Sequence, residues 1–267
     1  MCFLTLASQL FAWGGSGHKI INMGAIHFLP EPLKRYYRLN EATVVGESIT
    51  PDLWKGDDRE EGPRHYIDID RYEAYPFPSF PASFDDFVSR FGKAKVEKNG
   101  TVTWRIEEMF KLLKDSFAQG DWKSALDQSG WLGHYVADMY EPFHTTDYHD
   151  GKTTSQKGIH LRFEDKMLRR LMSNFRVTGS SQVYVVSDVP VFVMDVIREG
   201  YPHIDELCLA DDAAQKKGPA ESTAYYAELY RLTGRFAKVR MTSASHGLAS
   251  LWYTAWVQAG KPAPPRR

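Results

Sequence analysis

The stretch His134-Tyr-Val-Ala-Asp138, followed by His144 and then by His160-Leu-Arg-Phe-Glu164, decides the reading of this chain. Two of its pairs, His134 with Asp138 and His160 with Glu164, are spaced i, i+4. That spacing sets both members on one face of a helix with their side chains converging. The flanking residues agree. A helix is expected from Asp121 to about Tyr140, ending before Pro142, and another from near Ile159, carrying His160, Glu164, Met167 and Leu171. Imidazole and carboxylate together favour zinc, which takes nitrogen and oxygen ligands without a strong geometric demand.

Helical periodicity extends outward from this centre. Residues 17 to 29 carry Ile20, Ile21, Ala25, Ile26 and Leu29 and stop before Pro30. Residues 103 to 119 carry Ile106, Met109, Phe110, Leu113 and Phe117, with Gly120 as a stop. Residues 219 to 257 read as one long helix or two, with Gly234 and Gly247 as the breaks. No run of alternating strands occurs. The expectation is an all-α single domain over residues 13–260, a helical bundle with long functional loops. Two segments escape the helical pattern. Residues 41 to 102 mix Pro, Gly, aromatics and charge and include Tyr75-Pro-Phe-Pro-Ser-Phe-Pro81; residues 145 to 158 are polar and contain Gly. Both flank the metal-competent residues, and loops of such length usually carry function. Val183-Tyr-Val-Val186 reads as a short extended piece, and 261–267 as a disordered tail.

Hydrophobic content of 43% and charged content of 25% belong to an ordinary globular protein. A net charge of −1 gives no global field toward nucleic acid or membrane, so an anionic substrate must be drawn by a local charge such as a metal ion. Residues 1–12 read as the apolar part of a secretory signal, with Ala12 suited to cleavage although a basic n-region is missing. The competing reading is an apolar lead-in to the first helix. Cleavage implies a secreted or periplasmic protein. It also leaves Cys208 without Cys2, so no internal disulfide forms.

Read whole, Trp13-Gly-Gly-Ser-Gly-His18, Asp52, His65, His134-x-x-x-Asp138, His144 and His160-x-x-x-Glu164 resemble the superfamily that unites zinc-dependent phospholipase C with the single-strand-specific zinc nucleases. The resemblance runs from Trp13 to Glu164 and implies a mostly helical fold. It also implies three zinc ions. One would be held by Asp52, His65, His134 and Asp138. A second would take Asp138 as a bridge, His18, and the amino nitrogen and carbonyl oxygen of Trp13. The third would use His144, His160 and Glu164 and keep an open position. Ligation by the Trp13 amine requires that residues 1–12 be removed, since only a free amine has the lone pair. The implied activity is hydrolysis of phosphoester P–O bonds by a metal-activated water, with Asp52 as the catalytic base.

The substrate is less sharply implied. His65-Tyr66-Ile-Asp68 resembles the nuclease pattern, with Tyr66 stacking on a base and Asp68 bonding its edge, while Lys55 takes the place of a phosphate contact. These features favour a single-strand-preferring endonuclease or 3′-nucleotidase acting on nucleic acid or nucleotides. The Asp-x-Gly-Gly-Asn stretch usual after the equivalent of His144 is replaced by Asp147-Tyr-His-Asp-Gly-Lys-Thr-Thr-Ser-Gln156, where His149 and Asp150 lie near the site. The alternative substrate is phospholipid. Ser16 and Leu53 occupy the positions of that branch's choline cage and do not form one. A non-catalytic zinc-binding protein is the second alternative. No obligate protein partner is expected.

Overall fold

Asp121 starts the helix that carries the first metal pair: its side chain accepts from the Ser124 backbone N–H at 3.1 Å, satisfying one of the orphan donors of a first turn. In the computed structural model, which describes residues 13–80 and 83–265, all the regular structure is helical and no strand occurs among the described residues. The leader 1–12, its expected cleavage point at Ala12, and Pro81 lie outside the described residues.

The chain opens with α1 (Gly14–Phe28), followed by α2 (Leu33–Leu39), α3 (Glu41–Glu47) and α4 (Thr50–Trp54). Beyond a loop containing two short 3-10 turns come α5 (Phe84–Phe91), α6 (Lys93–Lys98), α7 (Val102–Gln119) and α8 (Trp122–Tyr140). The second metal pair lies on a continuous helical arm made of α9 (Ile159–Leu161), a widened π turn (Arg162–Met167) and α10 (Leu168–Arg170). Finally α11 (Val189–Gly200), α12 (Ile204–Gln215) and α13 (Thr223–Gln258) complete the bundle.

The long-period expectations are met. Ile106, Met109, Phe110, Leu113 and Phe117 of α7 are all buried, and Gly120 ends the helix at φ 70°, the left-handed conformation glycine adopts without strain. Residues 223–258 form a single helix in which Gly234 and Gly247 are interior positions rather than breaks. Gly247 is filled against Tyr140 and Phe192, so the missing side chain serves close packing. Helix α13 lies against α1, α7, α8 and α12 and forms the spine of the core. Ser245 on it donates to the Ile21 carbonyl of α1 at 2.9 Å.

Residues 41–102 are not a loop throughout, which corrects the sequence expectation. Four short helices occupy parts of the segment, and α3 is seated against α8 where Gly130 leaves no side chain. A Cβ on Gly130 would stand 2.5 Å from Glu47 Cβ and 2.8 Å from the Val44 carbonyl. Val44 is the only buried residue of α3, so its helicity comes from tertiary packing, which overrides a weak pattern. The aromatic turn at 75–80 is pinned by Arg198, whose guanidinium donates to the carbonyls of Pro76, Phe77 and Phe80. The run Val183–Val186 forms no strand; the Tyr184 and Val186 N–H groups donate to Ser250 and Thr254 on α13. Of the tail, residues 261–265 are described, and Trp256 Nε1 donates to the Pro262 carbonyl at 2.9 Å. No helix among the described residues is long and apolar enough to cross a membrane.

Candidate metal centre

Eight of the nine positions singled out in the sequence contribute side chains to one buried region: His18, Asp52, His65, His134, Asp138, His144, His160 and Glu164. Helix α1 supplies His18, α4 supplies Asp52, the 3-10 turn after it His65, α8 the pair His134 and Asp138, and the arm of residues 159–170 the pair His160 and Glu164. The π turn, Arg162–Met167, begins after His160 and contains Glu164, the second residue of the pair. Widened turns of this kind occur most often at functional sites.

Backbone carbonyls fix how two of the imidazoles face. His134 Nδ1–H donates to the Ser48 carbonyl at 2.8 Å, which leaves the Nε2 lone pair pointing inward. His144 Nδ1–H donates to the His65 carbonyl at 2.7 Å with the same result. His65 faces the other way round: Nδ1 points into the cluster, 3.1 Å from Asp138 Oδ2, and Nε2 lies 3.3 Å from Glu61 Oε1 without a hydrogen bond between them. Glu61 is itself fixed by Arg64 at 2.8 Å and by the Tyr135 hydroxyl. It is a buried neighbour of His65 that the sequence reading missed, although Glu61 and His65 stand at an i, i+4 spacing.

The inward-facing atoms converge in three buried groups: His18 with Asp52 and His134; His65 with His134 and Asp138; and Glu141 with His144, His160 and Glu164. Asp138 lies between partners, with Oδ1 3.5 Å from His18 Nε2 and Oδ2 3.1 Å from His65 Nδ1 and 3.5 Å from His134 Nε2. That is the disposition of a bridging carboxylate. Many of these atoms have no hydrogen-bond partner among the described residues, including both nitrogens of His18, Asp52 Oδ2, Asp138 Oδ1, His144 Nε2 and Glu164 Oε1. Buried polar atoms are rarely left so, and converging acceptors with no donor between them fit a set of cations. The residues therefore suit the metal ions that the sequence implied.

Charge supports the same reading. Burial, then the neighbouring imidazoles and Lys55, hold His18, His65 and His134 well below the ordinary histidine range, which keeps them in the neutral form that ligates. Burial and Asp52 push Asp138 well above the usual carboxylate range. At the third group burial works against charge, but Glu164 and Glu141 outweigh it and raise His160, while His160 and His144 lower Glu164.

Trp13 behaves differently from the expectation. Its ring is buried against Phe163, yet its backbone nitrogen donates to Glu164 Oε2 at 3.1 Å and its carbonyl accepts from Gly17 N–H at 2.8 Å. Both backbone atoms expected on a metal with His18 and Asp138 are engaged elsewhere. The reason is chemical: with residue 12 attached, the nitrogen is a peptide N–H and can only donate.

A cleft of about 400 Å³ opens onto the cluster, lined by Lys55, Tyr66, Asp68, Phe143 and His149 beside His65, His144 and His160. All three expected substrate residues thus reach the same wall. Lys55 Nζ lies 2.6 Å from Asp52 Oδ1. The Tyr66 hydroxyl donates to the Lys98 carbonyl at 3.0 Å. Burial, followed by Asp147 and Asp70, pushes Asp68 up to about 7.

No family model matches this sequence, and no curated protein does. Among solved structures, the chain is similar to the alpha-toxin of Clostridium perfringens from an avian strain, with a TM-score of 0.58 at 15% identity over 93% of this chain. The chain spans 65% of that toxin's length. At this identity the likeness establishes the helical fold.

Proposed function

We propose that this chain is a zinc-dependent phosphodiesterase, and the observation that carries the proposal is the convergence of three buried His and carboxylate groups, two of which reach one cleft through His65, His144 and His160. Three zinc ions are assigned to those groups. When bound, they supply Lewis-acid stabilisation of phosphoester oxygens and lower the pKa of water.

The chain's own residues do the rest. Asp52, almost wholly buried, offers Oδ2 without a hydrogen-bond partner and is placed to take a proton from the attacking water. Lys55 holds the other oxygen of Asp52 and keeps a positive charge at the mouth of the cleft for the phosphate anion. Tyr66 and Phe143 give the wall aromatic surface against which the rest of the substrate rests.

For the substrate class, phospholipid now stands ahead of nucleic acid, reversing the lean from the sequence. The fold is similar to that of the clostridial alpha-toxin, and the comparison backs the phospholipid reading better than the nucleic acid one. The cleft also places Asp68 beside Tyr66. A carboxyl next to an aromatic face is the pairing that an ammonium head group needs, and it arises at positions other than Ser16 and Leu53. We also propose secretion with cleavage before Trp13, which N-terminal sequencing of secreted protein tests.

The functional test is incubation of the purified chain with phosphatidylcholine, phosphatidylethanolamine, single-stranded DNA, RNA and 3′-nucleotides, each with and without a zinc chelator. Chelator-sensitive release of phosphorylated head group supports the proposal. Cleavage of nucleic acid alone restores the nuclease reading, and turnover of no substrate at full zinc loading favours a non-catalytic zinc-binding protein.

A further inference from the structure

The third group holds one residue that neither the spacing argument nor the family resemblance singled out. Glu141 follows directly on α8, and its backbone is tied on both sides: its N–H donates to the Asp138 carbonyl and its own carbonyl accepts from His144 N–H, each at 3.1 Å. The next residues, Pro142–Thr145, form a 3-10 turn. Glu141 is the extended residue that caps this turn, and its carboxylate and the His144 imidazole meet in one group. The Glu141 carboxylate is fully buried, and neither oxygen has a hydrogen bond among the described residues. Its nearest charged neighbour is His160, with Nε2 3.5 Å from Glu141 Oε2; a buried carboxylate without hydrogen bonds is strongly unfavourable, and a cation held between it and its neighbours relieves that cost.

The distances say where. Donors about 2.1 Å from one tetrahedral ion lie about 3.4 Å from each other. The observed separations straddle that value: His160 Nε2 to Glu164 Oε2 is 3.0 Å, His160 Nε2 to Glu141 Oε2 is 3.5 Å, and His144 Nε2 to Glu164 Oε2 is 3.6 Å. All four residues offer a ligand atom within 4.8 Å of every other. We infer that Glu141 is a fourth protein ligand of the third metal site, giving it two imidazoles and two carboxylates. This rests on the reading of the region as a metal cluster.

The consequence is a site of different character from a three-ligand one. Two carboxylates neutralise a divalent ion, whereas Glu164 alone would leave one positive charge. With Glu141 the protein would offer four donors, the number that a zinc site held wholly by protein takes, where His144, His160 and Glu164 alone would offer three.

The test uses Glu141→Gln, which keeps shape and removes charge, with zinc affinity measured site by site by competition against a chromophoric chelator. The parent should bind three equivalents. In the variant one equivalent should weaken by at least about 10- to 100-fold, the range found even for groups one shell further from a metal. Cobalt loaded into the same site should change its visible absorption between parent and variant. If Glu141→Gln does not fold, Glu141→Asp is read instead; it keeps the charge, withdraws it by one methylene, and should weaken the same equivalent. Unchanged affinities and an unchanged cobalt spectrum in a folded variant overturn the fourth ligand while leaving the cluster intact. A parent that binds no zinc overturns the metal reading itself.

Discussion

Replacing Asp211 with Ala asks how firmly the arm carrying His160 and Glu164 is anchored. Arg162 sits between those two residues, buried on the far side of the arm. Its Nε donates to Asp211 Oδ1 at 3.1 Å, and its Nη2 donates to both Asp211 oxygens at 2.9 Å. The same guanidinium reaches the carbonyls of Lys157 and Gln156, at 2.7 and 3.1 Å, and so closes the base of the 145–158 loop. Asp211, on α12, is fully buried and also accepts from the Tyr225 hydroxyl and from Gln215. Removing one member of a buried ion pair costs about 3–5 kcal/mol, because the other charge is left uncompensated. Arg162 keeps two carbonyls and the Tyr225 oxygen as acceptors, which places the loss at the lower end, about 3–4 kcal/mol. In a chain of this size each kcal/mol moves the melting midpoint by about 2–4 °C, so the fall is about 6–16 °C. Urea unfolding followed by far-UV circular dichroism measures it, with zinc content determined in parallel. The double variant Arg162→Met with Asp211→Leu removes both charges and should recover much of the loss. A loss below about 1 kcal/mol for Asp211→Ala, or a double variant as unstable as the two singles added, refutes the anchoring argument.

The remaining predictions are independent of that anchor. Asp68 is protonated below its value of about 7 and charged above it. Affinity for a phosphodiester without a cationic head group should therefore fall as pH rises through that value, whereas affinity for one with an ammonium head group should rise, and Asp68→Asn should flatten both steps in a KM against pH series. Because this carboxyl's folded value is raised, its ionisation lowers folding stability between the ordinary aspartate range and about pH 7, so the same variant should be relatively more stable above pH 7. Stripping zinc should lower the melting midpoint: an ion bound at 100 times its Kd contributes about 2.7 kcal/mol, or about 5–11 °C here. A midpoint indifferent to chelation, with zinc shown to have left, contradicts a cluster built into the fold. Gly46→Ala and Gly130→Ala should move stability in opposite directions. Nothing approaches Gly46, in α3, so alanine gains about 0.4–1 kcal/mol there, whereas at Gly130 the new methyl meets backbone of the neighbouring helix and loses about 1–3 kcal/mol by chemical denaturation.

The legible parts of this molecule were those written in periodic form. Helices α7 and α8 have long patterns with a stop at Gly120 and a start at Asp121, the pattern of α13 was legible although its continuity through Gly234 and Gly247 was not, and the pairs His134/Asp138 and His160/Glu164 carry the helical spacing itself. The short helices of residues 41–98 were not legible, because runs of five to eight residues have too few turns for a period to register. Glu141 was hidden by Pro142, which reads as a helix terminator and draws attention from the residue before it. Glu61 was hidden in a charged run, Lys55-Gly-Asp-Asp-Arg-Glu-Glu61, whose other members are surface groups in appearance. Both are recognisable only once burial is known.

The seating of α1 on α13, fastened by Ser245 and the Ile21 carbonyl, also sets a clock. A ribosome adding about 5–20 residues per second needs on the order of 10–40 s to make the roughly 200 residues that separate the two helices. Throughout that interval the apolar side of α1 has no groove to occupy, and His18 is held apart from ligands still unsynthesised. The nascent chain therefore seats α1 only once α13 has been made, and until then α1 stays exposed to chaperones, proteases and mistaken partners.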